Sequence, residues 1–269
     1  MQFQIDFISL RGSFYSNSLH RYVRFRWVAP PAYRDSSKLY PVLMMNDGQD
    51  FNGMGLEKSL TSAFRRKSIT PFIYIGIESN ENRMQEYGTA TTADYKGRGR
   101  KAGNYSKFII SEFIPFLKRE FKVSQNGRDW VYCGMSLGGL SAFDIVYNHP
   151  RDFGKVGVFS GSFWWRNKGY IKKDKEDRSR IVLDMVKHGL LHNHLKFWFQ
   201  CGTEDELADR NQNGVIDAID DTLDLIEELK KKGYSYPGDI TYVELEGGKH
   251  DLPTWGKLFP DFIQWAFTK

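Results

Sequence analysis

Short apolar runs rich in β-branched and aromatic residues alternate along the chain with segments whose apolar positions recur every three or four residues. The run Tyr22–Ala29 alternates apolar and polar, the pattern of a strand with one wet face. Tyr40–Asp47, Pro71–Glu78, Asp129–Ser136, Lys155–Gly161, Leu195–Gly202 and Ile240–Gly247 are mostly apolar throughout, as strands covered on both faces are. Between them, the segment 105–121 gathers Phe108, Ile109, Phe113, Phe116 and Leu117 on one helical face, and 222–233 reads as a helix closing on lysines and a glycine. Strand-helix alternation with short links predicts an α/β fold, a doubly wound, mostly parallel sheet with helices on both faces. No internal repeat or linker tract divides the chain, so residues 1–269 are expected to form a single domain.

Composition bounds this picture without altering it. A chain of 269 residues buries roughly 75% of its unfolded surface. With 41% hydrophobic and 15% aromatic residues it has material for a core, which excludes wholesale disorder. The net charge of +5 comes from interspersed signs, and "KKDKEDRSR" reads as a solvated loop and helix start, so no nucleic-acid partner is expected. No apolar run approaches the ~18 residues that cross a bilayer, so no membrane partner is expected either. The N-terminus lacks a charged region followed by an apolar one, which predicts no secretion signal and a cytoplasmic location. Cys133 and Cys201 each end an apolar run and are expected as reduced core thiols.

The candidate chemistry begins at "VYCGMSLGGLSAF". An apolar run enters Gly134-Met135-Ser136-Leu137-Gly138 and a helical pattern leaves it, the strand-turn-helix setting in which Gly-x-Ser-x-Gly lifts a serine to a strand's carboxyl end. A side chain at Gly134 or Gly138 would collide with the neighbouring strand or helix. A serine hydroxyl needs a base, and His250 follows the last strand; among the six histidines it alone follows a strand end. Asp205, just beyond an earlier strand, supplies the acid, with Glu204 and Glu206 as competitors. The order Ser136, Asp205, His250 is that of α/β-hydrolases. An oxyanion would rest on two backbone N–H groups, those of Leu137 and of Gln49 in "NDGQDFNG".

With these residues in view, the chain resembles the esterase D family of α/β-hydrolases. The resemblance is carried by "VLMMNDGQDFN", "NRMQEYG", "YCGMSLGGLSAF", "SGSFWW", "CGTEDE" and "GGKHDLPTW", in family order from about residue 20. It implies the α/β-hydrolase fold, a serine carboxylic-ester hydrolase with Ser136 as nucleophile, His250 as base and Asp205 as acid, and Gln49 with Leu137 as oxyanion donors. Relatives include enterobactin-type siderophore esterases, S-formylglutathione hydrolase, feruloyl and acetyl esterases and mycolyltransferases, so the resemblance implies a small-molecule or carbohydrate-linked ester without specifying it. An acyltransferase would use the same residues with an alcohol in place of water, and a non-catalytic binding module would keep only the cleft. Phe163, Trp164, Trp165 and Trp255 could wall an aryl or sugar group, or be core.

One stretch departs from the basic balance. Residues 202–221 hold seven acids, and within them Asp209, Asn211, Asn213, Gly214, Val215, Asp217 and Asp220 follow the spacing of a calcium loop. Oxygen ligands at alternate positions, with the Val215 carbonyl, are expected to hold a structural Ca2+ just after Asp205. Asp220 stands where such loops usually have a longer glutamate. The competing reading is an Asn/Asp/Gly turn that ends in a helix cap at Asp220 or Asp221. No organic cofactor is expected.

Overall fold

A computed structural model of the chain describes residues 8–170 and 179–269. Most of "KKDKEDRSR", expected as a solvated loop, and the first seven residues lie outside the described residues.

The strands are β1 (Ile8–Ser16), β2 (Arg21–Ala29), β3 (Val42–Asn46), β4 (Ile73–Ile77), β5 (Trp130–Met135), β6 (Lys155–Phe159), β7 (Lys196–Glu204) and β8 (Ile240–Lys249). They form one sheet in the order β1-β2-β4-β3-β5-β6-β7-β8, antiparallel as far as the β2–β4 pair and parallel from β4 onward. Each apolar run predicted as a strand is one. The addition is β1, an edge strand whose partly exposed residues and central Gly12 give it no apolar signature; Gly12 lies flat against the Phe25 ring of β2.

The continuous apolar runs are explained by the two faces. In β3, Val42 and Met44 join one core layer, and Leu43 and Met45 the other. Trp130 and Tyr132 of β5 oppose Val131, Cys133 and Met135 in the same way. One face is covered by α1 (Leu56–Arg65) and by the C-terminal helix, numbered α8 below. The other carries α2 (Arg83–Glu86), α3 (Ala102–Lys107), α4 (Ile114–Glu120), α5 (Leu137–Asn148), α6 (Ile181–His188) and α7 (Asp217–Lys232). The helix expected over 105–121 exists, but Phe108–Phe113 winds as a π-helical stretch between α3 and α4, which keeps Phe108, Ile109 and Phe113 all buried.

Helix α7 begins five residues before the predicted Thr222. Asp217 and Asp220 lie in its first turn, where the helix dipole favours anions, and it closes on Lys230, Lys231, Lys232 and a left-handed Gly233. Helix α8 (Leu252–Phe267) was not apparent from apolar spacing; it contains Pro260, and Asp251 caps it by accepting from the Thr254 N–H at 2.9 Å. Both cysteines are buried and free. No helix of the described residues is long and apolar enough to cross a membrane.

Candidate active site

Parallel strands β3 to β8 deliver their carboxyl ends to one edge of the sheet, and the candidate residues all leave from there. At the end of β5 the chain turns into α5 within one residue. Ser136 takes φ 52° and ψ −123°, a strained conformation for a residue with a side chain. The glycines make the turn possible: a Cβ on Gly134 would stand 2.4 Å from the Gly138 carbonyl oxygen, and one on Gly138 would stand 2.6 Å from Asp47 Oδ2. The Ser136 N–H donates to the Phe159 carbonyl at 2.8 Å, and its carbonyl accepts from the Ser162 N–H at 3.2 Å, which fixes the turn against the end of β6. Ser136 Oγ and Ser162 Oγ are 3.4 Å apart. Ser162 was legible only inside the motif "SGSFWW", because the β5–β6 pairing is what brings it there.

The candidate acid and base arrive on the last two strands. Gly202 of β7 and Gly248 of β8 pass so closely that a Cβ on Gly202 would lie 2.3 Å from the Gly248 carbonyl oxygen, and the strand register shifts between Gly202 and Glu204. This bulge turns Asp205 inward. Asp205 is 8% exposed, whereas the competing Glu204 side chain is 58% exposed and reaches only toward Lys249. Asp205 Oδ2 accepts from the Gly202 N–H at 3.1 Å, and Oδ1 is buried with no hydrogen-bond partner. Burial pushes the Asp205 carboxyl above its ordinary range, opposed by the Gly202 N–H, the Ser160 hydroxyl and the charge of His250.

His250 leaves the end of β8 as an exposed residue. Its ring meets Trp255 of α8 edge-on, centroids 5.1 Å apart, and Trp255 Nε1 donates to Ser160 Oγ at 2.9 Å. Partial burial pushes the imidazole below its ordinary 6.5; Asp205 opposes this and the Arg83 charge adds to it. The neutral form that a general base requires is therefore favoured.

The turn after β3 completes the edge. Asp47 adopts φ 59°, and Gly48 presses on β4 so tightly that a Cβ would lie 2.3 Å from the Gly76 carbonyl carbon. Arg83 grips Asp47 with two bonds of 2.8 Å. The Gln49 side chain is clamped by Ser79, donating to its Oγ at 3.0 Å and accepting its N–H at 3.0 Å. Gln49 lies in the first turn of a short 3-10 helix and Leu137 in that of α5, positions where backbone N–H groups have no intrahelical partner.

The aromatic expectations divide. Phe163 is core, packed on Phe143 and Phe199, and Trp165 is fully buried, so neither walls a cleft. Trp165 is gripped by the segment 84–101. Cβ atoms on Gly88 and Gly99, both at positive φ, would stand 3.0 and 2.9 Å from its ring. Arg98, hydrogen-bonded to Asp94, lies 4.8 Å over Trp164 and 5.1 Å over Trp165, and the Tyr95 N–H donates to the Arg166 carbonyl at 2.9 Å. Trp164 is half-buried and Trp255 backs His250.

The acidic stretch holds two structures. Asp221 is fully buried, bonded by Arg180 at 2.8 Å and by Arg210, with Arg166 at 3.8 Å. Beside it, Gln212 and Gly214 at φ 60° and 87° fold the expected calcium loop. Asn211 and Asn213 amides both donate to Asp220 Oδ2, at 2.8 and 2.9 Å, and Asp209 accepts the N–H groups of Asn213 and Gly214. The Asn211 and Asn213 amide nitrogens thus face Asp220, while their oxygens accept the N–H groups of Asn213 and Val215. Asp217 stands apart from them, accepting the Arg210 N–H at 2.9 Å and paired with its guanidinium. No group of three or more His, Cys, Asp or Glu among the described residues is arranged to hold a metal.

Comparison with known proteins places the chain in a family. The chain is 26% identical over 250 residues to the uncharacterized protein YbbA of Bacillus subtilis, covering 91% of this chain and 93% of that protein. It is 27% identical over 150 residues to the iron(III) enterobactin esterase of Escherichia coli K12, covering 55% of this chain and 34% of the esterase. Among solved structures, a ferulic acid esterase superposes with a TM-score of 0.74 at 15% identity, covering 98% of this chain and 99% of its own, which shows the α/β-hydrolase fold. The enterobactin esterase of Shigella flexneri superposes with a TM-score of 0.73 at 19% identity, covering 96% of this chain and 59% of that one. The family described as "Putative esterase" matches residues 16–265, and the chain therefore belongs to that family, as a carboxylic-ester hydrolase.

Proposed function

We propose that the chain hydrolyses a carboxylic ester through an acyl-enzyme on Ser136, with His250 as base and Asp205 as its acid partner. The observation that carries this reading is the strained turn at Ser136, held at the same sheet edge as a buried Asp205 after β7 and His250 after β8. Ser136 Oγ attacks the ester carbonyl carbon as His250 takes its proton. The tetrahedral oxyanion rests on the N–H groups of Gln49 and Leu137, and its collapse breaks the C–O bond and hands the proton to the departing alcohol. Water then repeats the sequence against the acyl group, releasing the acid and restoring Ser136. Asp205 Oδ1, buried and unpaired, is the acceptor that would orient the imidazole and stabilise its cation.

The substrate is proposed to be a small-molecule or carbohydrate-linked ester, and relatives named for enterobactin and ferulic acid support the siderophore and feruloyl types. We also propose a structural Ca2+ held by Asp209, Asn211, Asn213, Asp220 and the Val215 carbonyl, with Asp217 contributing only if it leaves Arg210. The ion would supply no chemistry to the ester and would brace the chain after Asp205.

The test is p-nitrophenol release from short-chain p-nitrophenyl esters, wild type beside Ser136→Ala. Loss of turnover in the variant supports the reading, and equal turnover in both refutes the nucleophile. Ester product formed from an added alcohol would identify an acyltransferase. No turnover in either protein across siderophore, feruloyl and acetyl-sugar esters would favour the binding module.

A further inference from the structure

The parallel ladder between β3 and β5 pairs Val42 through Met45 with Trp130 through Cys133 and goes no further. Beyond Met45, β3 runs on for one residue, Asn46, then turns through Asp47 and Gly48 to Gln49. Beyond Cys133, β5 runs into Ser136 and α5. The two segments proposed to carry the oxyanion donors therefore depart from paired strands where the pairing has stopped.

The side chain of Asn46 spans that gap. It is fully buried, and Nδ2 donates to the Gly138 carbonyl at 2.7 Å, one residue past Leu137. Oδ1 accepts from the hydroxyls of Tyr105 and Tyr132, at 2.7 and 2.6 Å. The Gly138 carbonyl can only accept, so the amide atom facing it is the NH2 and the atom facing the two hydroxyls is the oxygen; the amide therefore has one orientation. Asn46 also touches the elbow sterically, since a Cβ on Gly138 would lie 3.2 Å from Asn46 Cβ.

We propose that Asn46 is a positioning residue for ester hydrolysis: its amide ties the nucleophile elbow to the turn after β3 and so sets the separation of the Leu137 and Gln49 N–H groups. Tyr105 and Tyr132 hold the amide in register. The inference rests on the oxyanion assignment proposed above. A preorganised pair of donors stabilises a transition state only while its spacing is held, and a displacement of about 1 Å costs on the order of 10²-fold in rate.

The experiment measures kcat, KM and melting temperature for Asn46→Asp, Tyr105→Phe and Tyr132→Phe on p-nitrophenyl butyrate, with the inhibition constant of a butyryl-like trifluoromethyl ketone. Asn46→Asp keeps the acceptor for both tyrosines and sets an oxygen against the Gly138 carbonyl. The expected result is a kcat loss on the order of 10²-fold with KM within about threefold, and a parallel loss of ketone affinity, because its tetrahedral oxyanion needs the same donors. The tyrosine variants lose less, in the same pattern. A lowered melting temperature with kcat within about threefold of wild type, or a raised KM with kcat intact, overturns the proposal. If Asn46→Asp does not fold, unchanged kcat in both tyrosine variants overturns it. Ser136→Ala is assayed alongside: full turnover there refutes the nucleophile reading itself, separately from Asn46.

Discussion

Replacing Gly48 by alanine tests the site through its backbone. The added Cβ would lie 2.3 Å from the Gly76 carbonyl carbon, 2.5 Å from its oxygen and 2.8 Å from its Cα. Those atoms belong to β4, which is paired with β2 on one side and β3 on the other and cannot yield as a side chain would. The turn must therefore lift by about 1 Å to reach ordinary contact, and Gln49 is the next residue. A shift of that size at an oxyanion donor costs on the order of 10²-fold in rate, or about 2.7 kcal/mol of transition-state stabilisation. Overpacking at the same point costs roughly 1–3 kcal/mol of stability. Steady-state hydrolysis of p-nitrophenyl butyrate, well below the variant's melting temperature, separates the two effects. A folded Gly48→Ala protein with kcat/KM within about threefold of wild type would refute the argument that this close approach positions the donor.

Three further outcomes are expected. As pH falls, kcat/KM should decline through a limb whose midpoint lies below 6.5, because burial lowers the His250 pKa and only its neutral form accepts the Ser136 proton; a midpoint above 7 in the pH profile contradicts this. Asp221→Asn should cost about 1.5–3 kcal/mol in chemical denaturation, since it removes the buried carboxylate that Arg180 and Arg210 share while leaving them Asp224 and Asp217; a change under about 0.5 kcal/mol refutes the assignment. Excess EDTA should lower the melting temperature, with calcium found by elemental analysis of the untreated protein; an unchanged melting temperature and no calcium sink the brace.

The sequence disclosed most of the sheet because strands buried on both faces leave unbroken apolar runs, as "YPVLMMND" does. It hid β1, whose edge position lets most of its residues face water, and the start of α7, because Asp217 reads equally well as turn or helix. Ser136, Asp205 and His250 stood out as candidates because each stands directly after a strand with a glycine nearby. Asn46 and Ser162 stood only inside family motifs, since their contacts come from β3 and β6 lying on either side of β5, an arrangement no local pattern encodes. Arg83 was visible only as part of a family motif; its grip on Asp47 joins residues 36 apart.

The clasp of residues 84–101 around Trp165 bears on how such an enzyme could be re-specified. Gly88 and Gly99 leave no room for side chains against that indole, and the Tyr95–Arg166 bond joins the same two segments. The segments after β4 and after β6 are thus one interlocked module, although more than sixty residues separate them in sequence. Lengthening or grafting either alone would strand its counterpart. Recombination between homologues should therefore yield folded chimeras when both segments come from one parent, and misfolded ones when the parentage is split.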